Sequence, residues 1–183
     1  MKTLIINGSP RRNGDTAALI AQLRRHLSGE IAEVSAYYAK ITPCIDCRAC
    51  WKRRGCAISD DMNIIYADDF DAIVLATPVY FSDVPGPVRS LMSRFQWTHA
   101  ARHGLREPAV FRPKKAGVIL AAGGKGNADG ALRPARILLN ILNAAGVEDH
   151  TVISANTDDL PAAGDTTALA GVRNLAEWLE KPL

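Results

Sequence analysis

The chain has 183 residues, a formal net charge of +3, and a composition that is 48% hydrophobic and 22% charged. This length favours one domain whose core needs no disulfide bonds, and so small a charge gives no indication of nucleic-acid binding. No apolar run approaches the length of a membrane span or a secretory signal, so we expect a cytoplasmic protein with no membrane partner and with reduced thiols.

Strands and helices alternate along the first part of the sequence. Leu4–Ile6 is typical of a short buried strand, and the apolar residues from Leu19 to Leu27 repeat at helical spacing before Gly29. A second strand is predicted at Ile31–Tyr38. The cysteine-rich segment 43–59 follows neither pattern, and we predict an irregular loop there.

The same alternation continues to the end of the chain. The predicted elements are a helix from Asp60, a strand at Ala72–Ala76, a helix from Pro85, a strand at Ala116–Ala122, a helix around Ile137–Leu142 closed by Gly146, a strand at His150–Ser154, and a helix around Leu169–Leu179. Strands joined by helices in this way form βαβ units, so the pattern predicts an α/β fold with a parallel sheet covered on both faces.

One further stretch, Thr98–Lys115, has no clear periodicity and carries five basic residues against a single Glu107. Most such runs are solvated loops, which is our prediction here. The alternatives are a lid, a contact between subunits, or a site for an anionic cofactor.

The loop after the first predicted strand, Gly8–Thr16, resembles a phosphate-binding turn. Backbone N–H groups at the start of the following helix, together with hydroxyl and amide side chains, can wrap a phosphate. The spacing of Gly8 and Gly14 is not that of a nucleoside-triphosphate loop, and Asp15 stands where that loop has its lysine. The turn therefore favours a single phosphate ester, although a simple polar turn would have a similar sequence.

Two later strand ends carry unusual sequences. Thr77–Asp83 contains two adjacent aromatic residues, which suit stacking on a flat ring, and Ala121–Gly126 is rich in glycine, which permits close approach of the backbone to a ligand. Ligands of open α/β sheets bind beyond the carboxyl ends of the strands. A phosphate ester joined to a planar ring matches flavin mononucleotide (FMN), so these three loops together predict an FMN site.

With these motifs the chain resembles the flavodoxin-like NAD(P)H-dependent FMN reductases, and within them the iron–sulfur flavoprotein branch. The resemblance covers nearly the whole chain and rests on Gly8–Thr16, the cysteine motif with Asp60-Asp61-Met62 after it, Pro78–Phe81, and Gly123-Gly124. It implies a single flavodoxin-like FMN-binding domain over residues 1–183, built on a five-stranded parallel sheet of order 2-1-3-4-5. It also implies cofactor contacts at Ser9, Pro10, Arg11, Asn13, Asp15, Thr16, Pro78, Val79, Tyr80, Phe81, Asp83, Gly123 and Gly124.

All four cysteines of the chain fall in one short motif, C-x2-C-x2-C-x5-C, formed by Cys44, Cys47, Cys50 and Cys56. Four thiolates satisfy a [4Fe–4S] cluster, and the resembled flavoproteins use this compact pattern for one. Asp46 departs from the family pattern, in which glycine often precedes the second cysteine, and it adds negative charge beside an anionic cluster. The motif therefore predicts a metal centre but leaves its nature open.

Other chemistries fit the cysteines less well. Zinc sites with four cysteines prefer two separated knuckles, and this spacing is tighter. A redox-active thiol pair beside the flavin is possible, because the basic run Lys52–Arg54 would favour thiolates. Cys47 and Arg53 also match the C-x5-R spacing of a phosphatase loop, but Trp51 and Lys52 do not suit that loop.

The resemblance implies an FMN-dependent oxidoreductase that takes hydride from NAD(P)H and passes electrons to a quinone, a flavin, a metal ion or an iron–sulfur acceptor. The alternative is an iron–sulfur flavoprotein or flavodoxin-like electron carrier acting on protein partners, although the resembled shuttles are acidic and this chain is not. A redox-sensing module is a third interpretation. The resemblance also implies a homodimer or homotetramer, because subunit contacts in such reductases often complete the flavin pocket.

Overall fold

The computed structural model describes residues 1–107, 111–125 and 128–182, and its centre is a parallel β-sheet. The strands are β1 (Lys2–Asn7), β2 (Glu30–Ser35), β3 (Ala72–Pro78), β4 (Lys114–Ala121), β5 (Ala144–Ala145) and β6 (Thr151–Ser154). Their order is β2-β1-β3-β4, and the free edge of β4 pairs with both β5 and β6. The predicted order 2-1-3-4-5 is confirmed, with one short extra strand.

That extra strand arises because two segments share one edge of β4. β5 pairs only with Lys114 and Lys115, and β6 pairs further along, from Val118 to Ala121. The carboxyl ends of β1, β3, β4 and β6 consequently lie along one edge of the sheet. This edge is where a ligand is expected in an open parallel sheet.

Helices cover both faces of the sheet, as predicted. They are α1 (Asp15–His26), α2 (Met62–Tyr66), α3 (Gly86–Ser93), α4 (Gln96–Ala100), α5 (Asp129–Ile141) and α6 (Thr166–Glu180). α1 and α6 pack on one face, over alternate strand residues such as Ile5 and Val74. α3 and α5 pack on the other face, over Ile6 and Leu75, so each central strand is buried on both sides.

Several element boundaries differ from the sequence-based expectations. The second strand was predicted to reach Tyr38, but it ends at Ser35, where the chain turns so that Tyr38 N–H donates to the Ser35 carbonyl. The helix predicted to close at Gly146 ends at Ile141, because Asn143 adopts a left-handed backbone conformation with φ of 55°. Ala144 and Ala145, which precede Gly146, form β5.

The prediction that Thr98–Lys115 is a solvated irregular loop was wrong for its two ends. Its first part continues α4 into a π-helical turn at Ala101–Leu105, and its last two lysines begin β4. Both lysine side chains are buried, because their ammonium groups donate to main-chain carbonyls such as those of Leu142 and Trp178. Residues 108–110 of this stretch lie outside the described part of the chain.

The cysteine-rich segment 43–59 lies between β2 and α2 and contains one regular element, a 3-10 turn at Ala49–Trp51. It therefore has the irregular character that its sequence predicts. Over residues 1–107, 111–125 and 128–182, we find no helix with both the length and the apolar character needed to cross a membrane.

Candidate functional site

The loops after β1, β3, β4 and β6 border one surface cleft of about 100 Å³ at the carboxyl edge of the sheet. Its walls combine side chains and exposed backbone from segments that are far apart in sequence. The cleft is lined by Ser9, Arg11, Gly14, Asp15, Thr16, Pro78, Val79, Tyr80, Ala121, Gly123, Thr157 and Asp158. Eight of these twelve residues are among those that the sequence indicated for a cofactor.

The loop after β1 is held compact by its own hydrogen bonds. Ser9 N–H donates to Oδ1 of Asn7 at 2.9 Å, and Arg11 N–H donates to Oγ of Ser9 at 3.1 Å. Gly8 starts the loop in a tight place: a Cβ atom there would lie 2.4 Å from Oγ1 of Thr77. Because glycine has no Cβ atom, the loop after β1 can start in direct contact with the end of β3.

The N-terminus of α1 faces this loop without a side-chain partner. Within the described residues, no side chain caps the helix, so the N–H groups of its first turn remain available. Ser9 and Thr16 place buried hydroxyl groups beside them. N–H groups at a helix N-terminus and nearby hydroxyls form a suitable cradle for an anion.

Three other residues of this loop that were predicted to contact the cofactor have other partners or face solvent. The Asp15 carboxylate accepts a hydrogen bond from Ala162 N–H at 2.9 Å, which ties α1 to the segment before α6. The Pro10 carbonyl accepts a hydrogen bond from the Tyr38 hydroxyl, and Asn13 is exposed to solvent. Pro10 and Asn13 do not line the cleft, so their assignment as cofactor contacts stays a prediction.

A tight turn at Tyr80–Asp83 forms the rim after β3. Tyr80 and Asp83 exchange two backbone hydrogen bonds of 2.8 and 2.9 Å, and the two residues between them, Phe81 and Ser82, are both left-handed. The Phe81 side chain is fully exposed (106% of its reference area). The Asp83 carboxylate is bound by the Arg89 guanidinium at 2.7 and 2.8 Å and lies outside the cleft lining.

The loop after β4 is braced by the loop after β6. Asp158 N–H donates to the Gly123 carbonyl at 3.1 Å, and Asn156 N–H donates to the Gly124 carbonyl at 3.0 Å. A Cβ atom at Gly123 would lie 2.6 Å from the Asp158 carboxylate, so this close approach requires glycine. Gly124 is exposed beside the cleft, and Gly126 lies outside the described residues.

Sequence reasoning missed Thr157 and Asp158, which complete the cleft wall. The available signal was the polar run directly after the fifth predicted strand, because all carboxyl ends of a parallel sheet share one edge. It also missed Tyr38, which was assigned to a strand and instead fastens the loop after β1 through Pro10.

A second, smaller cavity of about 40 Å³ is lined by all four cysteines of the chain, Cys44, Cys47, Cys50 and Cys56. All four are free thiols. The segment wraps around the cavity through left-handed turns at Asp46 and Arg48 and through Gly55, whose φ is 93°. All four cysteines therefore border one cavity.

The side chain of Arg94, which follows α3, fastens both flanks of the cysteine-rich segment. Its guanidinium donates to the Thr42 carbonyl at 2.8 Å, to the Ile58 carbonyl at 2.9 Å and to the Asp60 carboxylate at 2.5 Å. The Arg94 side chain is 0% exposed and that of Asp60 is 10% exposed. The segment therefore depends on a buried ion pair for its attachment.

These contacts set the protonation behaviour around the cavity. Burial raises the pKa of the Asp60 carboxyl, but the Arg94 guanidinium and the Thr42 N–H lower it more, so its pKa lies below the usual range. Burial lowers the pKa of Arg94, but Asp60 and then Cys56 raise it by more, so the pKa of Arg94 lies above its usual value. Burial raises the pKa of the Cys50 thiol, which favours its neutral form when no metal is bound.

The donor set of this cavity suits a metal–thiolate centre, since four free thiols and a buried cation surround one space. Among the described residues, however, no three His, Cys, Asp or Glu side chains lie close enough together to hold a metal ion. The assignment of the four cysteines as metal ligands stays a prediction.

The phosphatase alternative finds little support in the surroundings of Cys47. This residue follows a stretch without a strand and precedes a 3-10 turn, whereas such a loop requires a strand before it and a helix after it. The neighbouring basic residues Lys52 and Arg53 are exposed, and Arg54 is paired with Glu107 at 3.0 Å.

Comparison with known proteins identifies a family for this architecture. The sequence profile of the NADPH-dependent FMN reductase family matches residues 1–159. An iron–sulfur flavoprotein of Methanocaldococcus jannaschii is 34% identical over 99 residues, 51% of each chain, so the chain spans about half the length of that relative. An iron–sulfur flavoprotein of Methanosarcina thermophila is 26% identical over 186 residues, which cover 98% of this chain and 93% of that protein.

Solved structures show the same fold. An NAD(P)H:quinone oxidoreductase from Methanothermobacter marburgensis superimposes with a TM-score of 0.76 over 100% of this chain and 98% of its own, at 16% sequence identity. At this identity the likeness establishes a flavodoxin-like fold and carries no information about the substrate.

Proposed function

Because this chain belongs to the NADPH-dependent FMN reductase family, we propose that it is an FMN-dependent oxidoreductase that takes hydride from NAD(P)H and passes electrons to a small-molecule or protein acceptor. The observation that carries the proposal is the strand-end cleft, which joins the loop after β1, the aromatic turn after β3 and the glycine loop after β4. Quinones, free flavins and metal ions are the acceptor classes we consider.

The phosphate of FMN would bind to the loop Gly8–Thr16. The uncapped N-terminus of α1 offers N–H groups, and Ser9 and Thr16 offer hydroxyl donors. Arg11 lines the cleft and adds a positive charge. Because the Asp15 carboxylate is engaged by Ala162 N–H, we assign its contact with the phosphate to the backbone N–H.

The flavin ring would lie against the rim formed by Pro78–Tyr80 and Gly123. Tyr80 is exposed at this rim, and Gly123 lines the same cleft without a side chain of its own. When bound, FMN supplies the redox chemistry, since it accepts hydride from reduced nicotinamide and releases electrons to an acceptor. The protein's part is to bind the phosphate, orient the ring and leave one face open to the nicotinamide.

Phe81 bears on the proposed oligomeric state. Two adjacent aromatic side chains, Tyr80 and Phe81, are exposed at this rim, and exposed apolar patches are typical of interaction surfaces. A second copy of this chain is the cover we propose, in a homodimer or homotetramer that completes the flavin pocket.

The cysteine-rich segment supports the more specific proposal of an iron–sulfur flavoprotein with a [4Fe–4S] cluster. Four free thiols line one cavity, and the relatives from Methanocaldococcus and Methanosarcina carry that name. Cys44, Cys47, Cys50 and Cys56 would hold the cluster, which would relay electrons between FMN and an acceptor. Free thiols also agree with the proposed cytoplasmic location.

The test is an FMN titration of the full chain followed by steady-state turnover with NADPH or NADH and a quinone. We expect stoichiometric FMN binding, and about a tenfold weaker affinity for Ser9→Ala, because the lost hydroxyl is a candidate phosphate donor and also bonds to Arg11 within the loop. Ser59→Ala, at an exposed serine outside the cleft, is the matched control.

The outcomes separate the candidate functions. FMN binding with turnover supports the oxidoreductase. FMN binding without turnover, together with electron transfer to a protein partner, would favour the flavodoxin-like carrier. A chain that binds no FMN after reconstitution would overturn the proposal.

A further inference from the structure

We propose that Arg94 is a positioning residue for a metal–thiolate centre at the four cysteines, and that its guanidinium presents a positive charge and a free N–H donor to the sulfur ligands. The inference rests on the metal centre of the proposed iron–sulfur flavoprotein and is independent of FMN binding. The four cysteine positions follow from the sequence, whereas the role of Arg94 follows from the tertiary structure.

The first support is the way Arg94 holds the segment. Its donors reach the Thr42 carbonyl, two residues before the first cysteine, and the Ile58 carbonyl, two residues after the last. Its neighbour Ser93 adds a bond on the same side, because Oγ of Ser93 accepts the Cys44 N–H at 2.9 Å. The end of α3 thus fixes both flanks of the cysteine motif.

The second support is the direction of the buried charge. Arg94 lines the cavity together with the four cysteines, whereas its ion-pair partner Asp60 is not among the lining residues. The pair is neutral as a whole, but it turns its positive end toward the thiols. A cluster bound by four thiolates is anionic, so this arrangement lowers its electrostatic free energy.

The third support is an unused hydrogen-bond donor. Among the described residues, Nε of Arg94 is buried and has no hydrogen-bond partner. Buried donors without a partner are rare in folded proteins and call for an explanation. Cys56 lines the same cavity as Arg94 and is the cysteine that raises the pKa of its guanidinium, so the Cys56 sulfur, or a cluster sulfide beside it, would satisfy this N–H.

The consequence concerns the reduction potential of the centre. Hydrogen bonds to cluster sulfurs and nearby positive charge stabilise the reduced, more negative state and so raise the potential. Removing Arg94 should therefore lower the potential and weaken iron retention. A residue that only fastened the loop would affect retention, and its effect would be reproduced by any variant that loosens the same attachment.

The experiment is anaerobic reconstitution of the full chain with ferrous iron and sulfide, followed by iron analysis, redox titration and electron paramagnetic resonance. We compare the unaltered chain with Arg94→Met, Arg94→Lys and Asp60→Asn. Arg54→Met is the matched control, because Arg54 lies in the same segment but is exposed and pairs with Glu107.

We expect about four iron atoms per chain in the unaltered protein and in Arg54→Met. Arg94→Met should lose iron several-fold faster and shift the midpoint potential to more negative values. Arg94→Lys keeps the positive charge but has fewer hydrogen-bond donors. Its midpoint potential should therefore lie between that of the unaltered chain and that of Arg94→Met. Asp60→Asn loosens the attachment while keeping the cation, so its potential should not fall.

Two results would overturn the inference. One is an Arg94→Lys or Arg94→Met protein whose potential and iron retention equal those of the unaltered chain. The other is an unaltered chain that takes up no iron, which would remove the metal centre while leaving the FMN titration to decide the oxidoreductase proposal. If Arg94→Met does not fold by circular dichroism, Arg94→Lys, which keeps a positive charge opposite Asp60, still carries the comparison with the unaltered chain.

Discussion

The strand-end cleft and the cysteine cavity are built in opposite ways. The cleft is formed by the loops at the ends of four parallel strands, and its position follows from the hydrogen-bonded register of the sheet. The cysteine cavity lies in a segment with one 3-10 turn, and its attachment depends on the side chain of Arg94. The position of the first site should therefore survive most side-chain changes, whereas the second site should depend on a few buried contacts.

The largest expected effect is at the buried ion pair. Asp60→Asn leaves the Arg94 guanidinium buried without its counter-charge, so we expect the free energy of unfolding to fall by about 3–5 kcal/mol. Asp46→Asn is the control, since the Asp46–Arg48 pair is largely exposed and should change stability by less than about 1 kcal/mol. Urea unfolding of the metal-free chains measures both changes in the free energy of unfolding. Equal changes would contradict the view that the Asp60–Arg94 pair stabilises the fold.

The same pair predicts a dependence on pH. The pKa of Asp60 is lowered in the folded state, so its contribution to stability is complete above the unfolded value of about 4 and is lost as the pH falls through the folded value. The stability difference between the unaltered chain and Asp60→Asn should therefore be constant from about pH 5 to pH 8 and shrink below about pH 4. A difference that shrinks instead between pH 6 and pH 8 would point to another group.

The next largest effect is expected at Gly8, beside the strand-end cleft. Gly8→Ala places a Cβ atom within 2.7 Å of both Thr77 and Val88, so we expect a loss of about 1–3 kcal/mol in stability. FMN affinity should fall about tenfold, because the displaced loop carries the phosphate donors. Gly86→Ala is the matched control: no atom from elsewhere in the described chain lies within 4 Å of the place its new Cβ atom would take, and stability should change by less than about 0.5 kcal/mol.

A smaller effect is expected at Phe81, whose left-handed backbone has a φ of 51°. Phe81→Gly relieves that strain and should raise stability by about 0.5 kcal/mol after the flexibility of glycine is counted, whereas Phe81→Ala should not. If Phe81 contacts the flavin ring, both variants should weaken FMN binding by about 1 kcal/mol. Calorimetry and FMN titration separate the two contributions, and an unchanged FMN affinity would remove Phe81 from the site.

The smallest effect concerns Asp83. Arg89→Ala frees its carboxylate from an ion pair between half-exposed side chains, so stability should fall by less than about 1 kcal/mol. FMN affinity should change by less than about twofold if Asp83 makes no contact with the cofactor. A larger change would return Asp83 to the cofactor site that the sequence indicated.

Much of the fold could be predicted because the central strands are continuous apolar runs. Ala72–Ala76 and Ala116–Ala122 are typical of strands buried on both faces. The first lies within β3, and the second matches β4 except at Ala122, which follows the strand. The weaker edge strand was predicted too long at Tyr38, and β5 was missed, since pairing at a sheet edge is decided by the neighbouring strand and not by local propensity. The lysines at the start of β4 were wrongly predicted to be solvated, because their carbonyl partners come from distant segments.

The sequence by itself determined the alternation of strands and helices, the three strand-end loops and the clustering of the cysteines, because these are local patterns of spacing and composition. Only the tertiary structure decided that Thr157 and Asp158 complete the cleft, that Asp15 and Asp83 are held by other groups, and that Arg94 stands beside the thiols. Each of these depends on contacts between residues far apart in the chain, and such contacts exist only once the sheet has set the distances between its loops.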